Sequence, residues 1–427
     1  MKIIVLNAHS PKNAGDLAIL EQTMAVLRRA FPAAALTITV NDELSDLLPA
    51  GASYVGSLMR WVLRVDAQGE WHWRKPLVPF YALWLVHAAL MYRVAGLRPL
   101  PRLPDRRGLM RAYYDADLVV VIGGGHLYAR HAANIAFAWL WLGIALAVLM
   151  GKPLLLLPQS FGPLPGTIQR AMLRWLLSHS ALTAAREYRS LQLLAEIGLR
   201  RRVLLLPDLA FAADATPLNR MDTDMPELIR SSEGKPLVGL TLMDWQRQNP
   251  QFGNQHGYEQ AILALMRHLR QHYDARVVLF AQCTGPNAAH DDRLIARRLV
   301  AAAQAQGIDG VALIDAVLSP EQLKAAYARL DLLVATRMHS AIFALSGYVP
   351  ALAIGYLYKS VGIMELLGLE RYALDIDTLT AERLCAAFDA LWAERERVRE
   401  RLVRRIPAIQ KTLERLPELI RRSVREA

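Results

Sequence analysis

The chain holds 427 residues, room for two domains of roughly 100 to 200 residues each, and its 53 % apolar and 21 % charged content excludes a disordered chain. Fifty Lys and Arg against 39 Asp and Glu leave a formal charge of +11 at pH 7, which favours anionic partners. No recognised nucleic-acid motif or aromatic-interleaved basic stripe accompanies that charge, so no nucleic-acid partner is expected, and Cys283 and Cys385 stand far apart without a CxxC partner, so neither a disulfide framework nor a zinc site is indicated.

The N-terminal MKIIVLNAHS runs straight into a strand, with neither a long apolar region nor a cleavage site, so a cytoplasmic protein is expected. Strands are read at Lys2–Leu6, Ala35–Val40, Leu118–Ile122, Leu154–Leu157, Leu182–Ala184 and Val203–Leu206, separated by helix-length segments. The segment from about 53 to 107 breaks this alternation. It holds Trp61, Trp71, Trp73 and Trp84 and reads as an insertion or helical lid whose tryptophans pack in a core. Two apolar stretches, Leu77–Val94 and Ala132–Met150, call for a membrane test. The second is long enough to span, but it lies between two strands as a crossover helix does, so a buried helix is the reading, with membrane-surface contact as the alternative.

A polar stretch from Ala213 to Lys235 reads as a connection, and the grammar then repeats with strands at Leu237–Leu242, Arg276–Ala281, Val311–Ile314, Leu332–Ala335 and Ala351–Ile354. After Leu374 the chain is helical, with Pro407 and Pro417 dividing a basic amphipathic tail. Arginines from Arg395 to Arg405 alternate there with Glu, as a salt-bridged face or one touching anionic lipid at the inner side of a membrane. The expected fold is α/β, two Rossmann-like domains in tandem in a GT-B-like architecture with a helical C-terminal tail. The divisions are 1–230, 231–375 and 376–427.

In an open parallel sheet, ligands bind beyond the carboxyl ends of the strands. The residues there are Asn7, His9, Asn13, Gly15 and Asp16; Gly123, Gly124, Gly125 and His126; Gln159, Ser160 and Gly162; Arg186; and Asp208. The second half adds Asp244, Trp245, Arg337, His339 and Lys359. Three cations with a histidine suit a small ligand carrying phosphate and carboxylate, and imidazole is the group best able to exchange a proton near neutrality. The triple glycine can bring backbone close to a ligand or make a structural turn, and NAGD can contact hydroxyls or cap a helix. Neither GxGxxG nor GxxxxGK[ST] is present, nor HExxH, a DxD-like pair or GxSxG, so nothing calls for a dinucleotide, a P-loop nucleotide, a metal or a serine nucleophile.

Taken in order, NAGDLAIL, DLVVVIGGGHLY, LLLPQSFGPL, AAREYRSLQLLAEIGL, LLLPDLAF and ATRMHSAIFALSGYVPALAIGYLYKSVGIMELLGL resemble the polysaccharide pyruvyl transferase family, from near the N-terminus to about Leu369. The resemblance implies transfer of a pyruvyl group from phosphoenolpyruvate to two hydroxyls of a saccharide acceptor, free or lipid-linked, forming a ketal and releasing phosphate without a cofactor. It places Arg186, Arg337, His339 and Lys359 at the donor, with the first domain on the acceptor side. Asn13, Gly15, Asp16, Gly123, Gly124, Gly125, Gln159 and Asp208 are the expected substrate contacts. The chain departs from the family pattern at Glu187, where aspartate is common, and at Phe161, where isoleucine is. A glycosyltransferase using a nucleotide sugar on the same fold is the rival reading.

Overall fold

The computed structural model describes residues 1–66, 71–212, 234–355 and 358–426. The chain forms two compact units: unit 1 comprises Met1–Pro11, Asp16–Leu209 and Thr412–Ala427, and unit 2 comprises Lys12–Gly15 and Ala210–Lys411. The expected division at 230/231 lies outside the described residues.

Unit 1 is built on a parallel sheet. Its strands are β1 (Lys2–Ala8), β2 (Ala35–Val40), β3 (Ser53–Gly56), β6 (Leu118–Val121), β8 (Leu154–Phe161), β9 (Leu182–Ala185) and β10 (Leu204–Leu205), ordered β10-β9-β8-β6-β1-β2-β3. β6 and β8 are buried at every position, as unbroken apolar runs are when helices cover both faces. Two short strands, β4 (Leu63–Val65) and β5 (Trp71–Trp73), pair antiparallel, and β7 (Gly124–Leu127) pairs with the far end of β8.

The helices of unit 1 include α1 (Ala14–Ala30), α2 (Leu77–Ala95), α3 (Pro104–Asp115), α4 (Ile135–Leu149), α5 (Thr167–Ser178) and α6 (Tyr188–Glu196); the first two residues of α1 belong to unit 2. The crossover helix expected between β6 and β8 is α4, capped by Asn134, whose side chain accepts the Phe137 N–H at 3.0 Å. Its residues Phe137, Trp139 and Ile144–Ala147 are buried in the core. α2 packs against α4 and ends at Gly96, whose φ of 67° suits glycine and whose N–H returns to the Met91 and Tyr92 carbonyls. The insertion expected at 53–107 opens with β3, a sheet strand. Trp61 within it is buried in the core at 3 % exposure, half-buried Trp73 and Trp84 pack against that core, and the side chain of Trp71 lies outside the described residues.

Unit 2 repeats the plan with β11 (Leu237–Thr241), β12 (Arg276–Phe280), β13 (Val311–Ile314), β14 (Leu332–Ala335), β15 (Ala351–Gly355) and β16 (Ala373–Asp375), all parallel. Their order, β13-β12-β11-β14-β15-β16, is the 3-2-1-4-5-6 arrangement of a doubly wound Rossmann sheet. Its helices include α7 (Gln255–Tyr273), α8 (Asp292–Ala305), α9 (Pro320–Tyr327), α10 (Met338–Ser346) and α11 (Tyr358–Leu367).

The tail is helical as expected, as α12 (Ala381–Ala393), α13 (Arg395–Glu414) and α14 (Leu416–Arg425). Pro407 lies inside α13 and does not divide it. Leu402, Ile406 and Leu413, buried at 0 to 3 % exposure on both sides of the proline, hold the helix despite the lost backbone hydrogen bond. Pro417 sits in the first turn of α14, where its missing N–H has no helical partner to lose. The tail is not one body: residues through Lys411 belong to unit 2 and those from Thr412 to unit 1.

Candidate functional site

In unit 2 the strand order reverses between β11 and β14, and an open parallel sheet leaves a crevice beyond the carboxyl ends at such a switch. There β14 turns through Thr336 and Arg337 into α10, with His339 in its first turn. Arg337 is 7 % exposed and donates from Nε and Nη2 to the Asp292 carboxylate at 2.5 to 3.2 Å. Such a planar two-point pair fixes the guanidinium in direction as well as place. Asp292, the first residue of α8, also accepts the Cys283 N–H at 2.9 Å. Burial pushes its carboxyl above the ordinary range, while the Arg337 charge and the Cys283 amide act against that rise.

Beneath the pair lies a buried polar layer. Gln282 Oε1 accepts from Tyr327 at 2.9 Å and from Ser340 at 3.0 Å, and the Tyr258 and Thr336 hydroxyls meet at 2.9 Å. Burial lifts both phenols far above their usual values, so they stay protonated. None of Asp292, Gln282, Tyr258 or Tyr327 was singled out from sequence. The signal for Asp292 is its place at the start of a helix next to Asp291, though its pairing with Arg337, 45 residues on, is a tertiary event.

Asn13 and Gly15 reach this site through four residues, Lys12–Gly15, that belong to unit 2 although unit 1 flanks them. The Ala14 N–H donates to the Gln282 carbonyl at 3.1 Å, and the Thr284 N–H to the Lys12 carbonyl at 2.8 Å. Asn13 pairs with Cys283 in an antiparallel bridge and caps α1 through its side chain, accepting the Gly15 N–H at 3.0 Å. A Cβ on Gly15 would lie 2.0 Å from His339 Nδ1. Only glycine lets the start of α1 lie against that imidazole. Of the two readings of NAGD, the helix cap is seen at Asn13, and Gly15 in addition makes room for His339.

The unit 1 candidates are arranged differently. Asp16 lies 3.4 Å from His9 Nδ1. What burial the half-exposed His9 has would lower its pKa, but the Asp16 hydrogen bond and the charges of Asp16 and Asp42 outweigh it and hold the imidazole above its ordinary value. Gly123 packs under β8, where a Cβ would come 3.1 Å from the Pro158 carbonyl, and Gly124 adopts φ 147° at the start of β7, with Gly125 following it. The structural turn therefore accounts for Gly123 and Gly124.

Gln159, Arg186 and Asp208 are 0 %, 2 % and 1 % exposed. Gln159 donates to the Ile122 carbonyl, tying β8 to the end of β6. Arg186 donates to Ser160 Oγ at 2.6 Å and to Asp208 at 2.5 Å. Ser160 Oγ in turn donates to Glu187 at 2.9 Å, Ser190 donates to the same carboxylate, and Ser190 Oγ accepts the Phe161 N–H at 2.8 Å. The PQSFGP and AREYRS motifs are thus two sides of one buried brace. This differs from the donor contact expected of Arg186: its guanidinium is enclosed and paired within its own unit. Glu187 acquires a definite role as the acceptor between two serines.

Lys359 lies in the first turn of α11, and its side chain falls outside the described residues. Beyond β11, Asp244 and Arg298 line an open cleft with Arg247, His256 and Glu259. Arg298 pairs with Glu259 at 2.6 Å, so positive charge there is partly cancelled. Among the described residues no group of three His, Cys, Asp or Glu could hold a metal ion.

The family model described as polysaccharide pyruvyl transferase matches residues 13–358, which spans NAGD, the brace and the Arg337–His339 turn. The chain belongs to the polysaccharide pyruvyl transferase family. It is 24 % identical over 414 residues to the amylovoran biosynthesis protein AmsJ of Erwinia amylovora, covering 95 % of each chain. Two solved structures are similar in fold along nearly the whole length. One is UDP-GlcNAc 2-epimerase from Neisseria meningitidis (TM-score 0.60, 11 % identity, 98 % and 99 % of the two chains). The other is sucrose-phosphate synthase from Thermosynechococcus elongatus (TM-score 0.57, 13 % identity, 100 % of both). The fold is therefore GT-B-like, as expected from sequence. Within the pyruvyl transferase family match, the structure brings together Asn13, Gly15, Arg337 and His339, and encloses Gln159, Arg186 and Asp208 in the separate brace.

Proposed function

We propose that this family member transfers the pyruvyl group of phosphoenolpyruvate to two hydroxyls of a sugar in a cell-surface polysaccharide or its lipid-linked precursor. The observation that carries this reading is the turn after β14, where an arginine fixed by Asp292 stands two residues from a histidine against Gly15. Protonation of the donor's methylene carbon by His339 makes the adjacent carbon electrophilic. One sugar hydroxyl attacks it and gives its proton to His339, restoring the acid; the second hydroxyl then displaces phosphate, which departs with the remaining proton. Arg337 holds the phosphate oxygens, and Lys359, carried over from the family motif, adds a second positive charge that eases departure. Arg186, enclosed with Asp208, supports unit 1 and is left out of the donor contacts. No metal or cofactor enters these steps. Phosphoenolpyruvate is an intracellular metabolite, which places the reaction in the cytoplasm.

The test is phosphate release from phosphoenolpyruvate with free and lipid-linked oligosaccharide acceptors. Because positioned proton transfer contributes about 10²- to 10⁴-fold, His339→Ala is expected to lower turnover by that factor while the thermal shift caused by phosphoenolpyruvate persists. Acceptor-dependent release undiminished in the variant removes His339 from the mechanism. Stabilisation by a nucleotide sugar and none by phosphoenolpyruvate overturns the donor assignment.

A further inference from the structure

The outward face of α2 is apolar and open. On its inner side Leu85, Ala88 and Ala89 are 0 % exposed within the core of unit 1. On the other side Phe80, Leu83, Leu90 and Val94 are exposed at 64, 74, 47 and 85 %, at spacings that place them on one stripe. Past Gly96 the chain continues as LRPLPRL with Leu97, Leu100 and Leu103 exposed again. A monomer surface rarely gathers so much contiguous apolar area unless something binds there.

The charges around the stripe identify the occupant. Residues 71–103 contain Arg74, Lys75, Arg93, Arg98 and Arg102, all exposed, and no Asp or Glu; Arg98 pairs with Asp115 at 2.8 Å. Trp73, Tyr81 and Trp84 lie half-buried in the same segment. Apolar side chains framed by cations and by aromatic rings with polar edges match the interface of an anionic bilayer, where such a helix lies flat and sinks roughly 5 to 10 Å. α2 is long and apolar enough to span a bilayer, with a mean hydropathy of 1.4. A span would, however, strip Leu85, Ala88 and Ala89 from the core they complete. A second copy of the chain would set these cations against their own equivalents. From these observations we infer that α2 and residues 97–103 form a docking surface for anionic phospholipid, holding the protein on the membrane. The inference does not depend on the donor chemistry, because binding is read without turnover.

The experiment is co-sedimentation of the full chain with vesicles of phosphatidylcholine containing phosphatidylglycerol, and with phosphatidylcholine alone. Binding is expected on the anionic vesicles and is expected to weaken with salt. The exposed pair Phe80→Ser with Leu83→Ser lowers the partition coefficient about tenfold or more. Arg74→Gln and Lys75→Gln each lower it about fivefold on anionic vesicles only. Circular dichroism matching wild type shows that these surface variants fold. Wild type that stays in the supernatant overturns the proposal. So does binding that survives Phe80→Ser with Leu83→Ser but is lost in Arg404→Gln with Arg405→Gln, which assigns the contact to the basic tail. A dimer in sedimentation equilibrium that Leu83→Ser dissolves, without vesicle binding, gives the face to a second copy and also overturns it.

Discussion

Arg186 and Arg337 stand at matching turns, each between a strand and a helix of a Rossmann-like sheet, yet they do different work. Arg186 is shut into unit 1 with Asp208, Ser160 and Glu187, whose side chains it ties together. Arg337 is equally well paired, with Asp292, but its turn also carries His339, half-buried against Gly15, at the sheet's switch point. The comparison teaches that a strand-end arginine can be enclosed and fully engaged by its own unit's side chains. What separates the two turns is their company: Arg186 is enclosed among Ser160, Glu187 and Asp208, whereas the Arg337 turn also carries a histidine lying against Gly15.

Removing each arginine's carboxylate is the sharpest way to test this contrast. Asp208→Ala removes the nearer of two carboxylates beside an enclosed guanidinium, leaving Glu187 at 3.6 Å, and is expected to cost about 3 kcal/mol of unfolding free energy in urea, with turnover per folded molecule little changed. Asp292→Ala frees an arginine nearer the surface, so the expected stability loss is smaller, about 1 to 3 kcal/mol, while KM for phosphoenolpyruvate rises. Equal effects on stability and KM for both variants would erase the distinction.

Next comes Gly15→Ala, which drives a methyl into the His339 ring. A displacement of about 1 Å can cost roughly 10²-fold in rate, so kcat is expected to fall by about that factor with KM nearly unchanged. A kcat equal to wild type would separate Gly15 from the histidine's placement. The smallest effect belongs to unit 1. The folded pKa of His9 is raised by Asp16 and Asp42 against its burial, so its contribution is fully present below the unfolded value of about 6.5 and is lost as pH rises through the higher folded value. Because the side chain is half exposed, only a few tenths of a kcal/mol are expected. His9→Gln should flatten that part of the stability profile, with activity per folded molecule retained.

The parallel strands were legible because burial on both faces demands unbroken Val, Ile and Leu runs, as in LVVV of β6 and ALAIG of β15. β3 was not, since SYVG is a half-buried edge strand with too little apolar pattern, and β7 was hidden in a glycine run that reads as a loop. The positions of Arg337 and His339 beyond a strand were legible from local order. Their supports were not: Asp292 at the start of α8 and Gln282 after β12 come from other parts of the chain, and although Gly15 stood out in sequence, its approach to His339 did not. The same limit applies to Arg186, whose enclosure depends on Asp208, 22 residues away.

The Lys12–Gly15 segment also bears on how such a chain can be divided or recombined. A fragment spanning Ala210–Lys411 would contain the β14 turn and its arginine but would lack the strip that bonds to Gln282 and Thr284 and lies against the histidine. Swapping unit 2 between relatives by one exchange near residue 210 would therefore join one parent's imidazole to the other parent's glycine. Compatible pairs have to be inherited from both sides of the exchange, so unit 2 is a compact body without being a self-sufficient module.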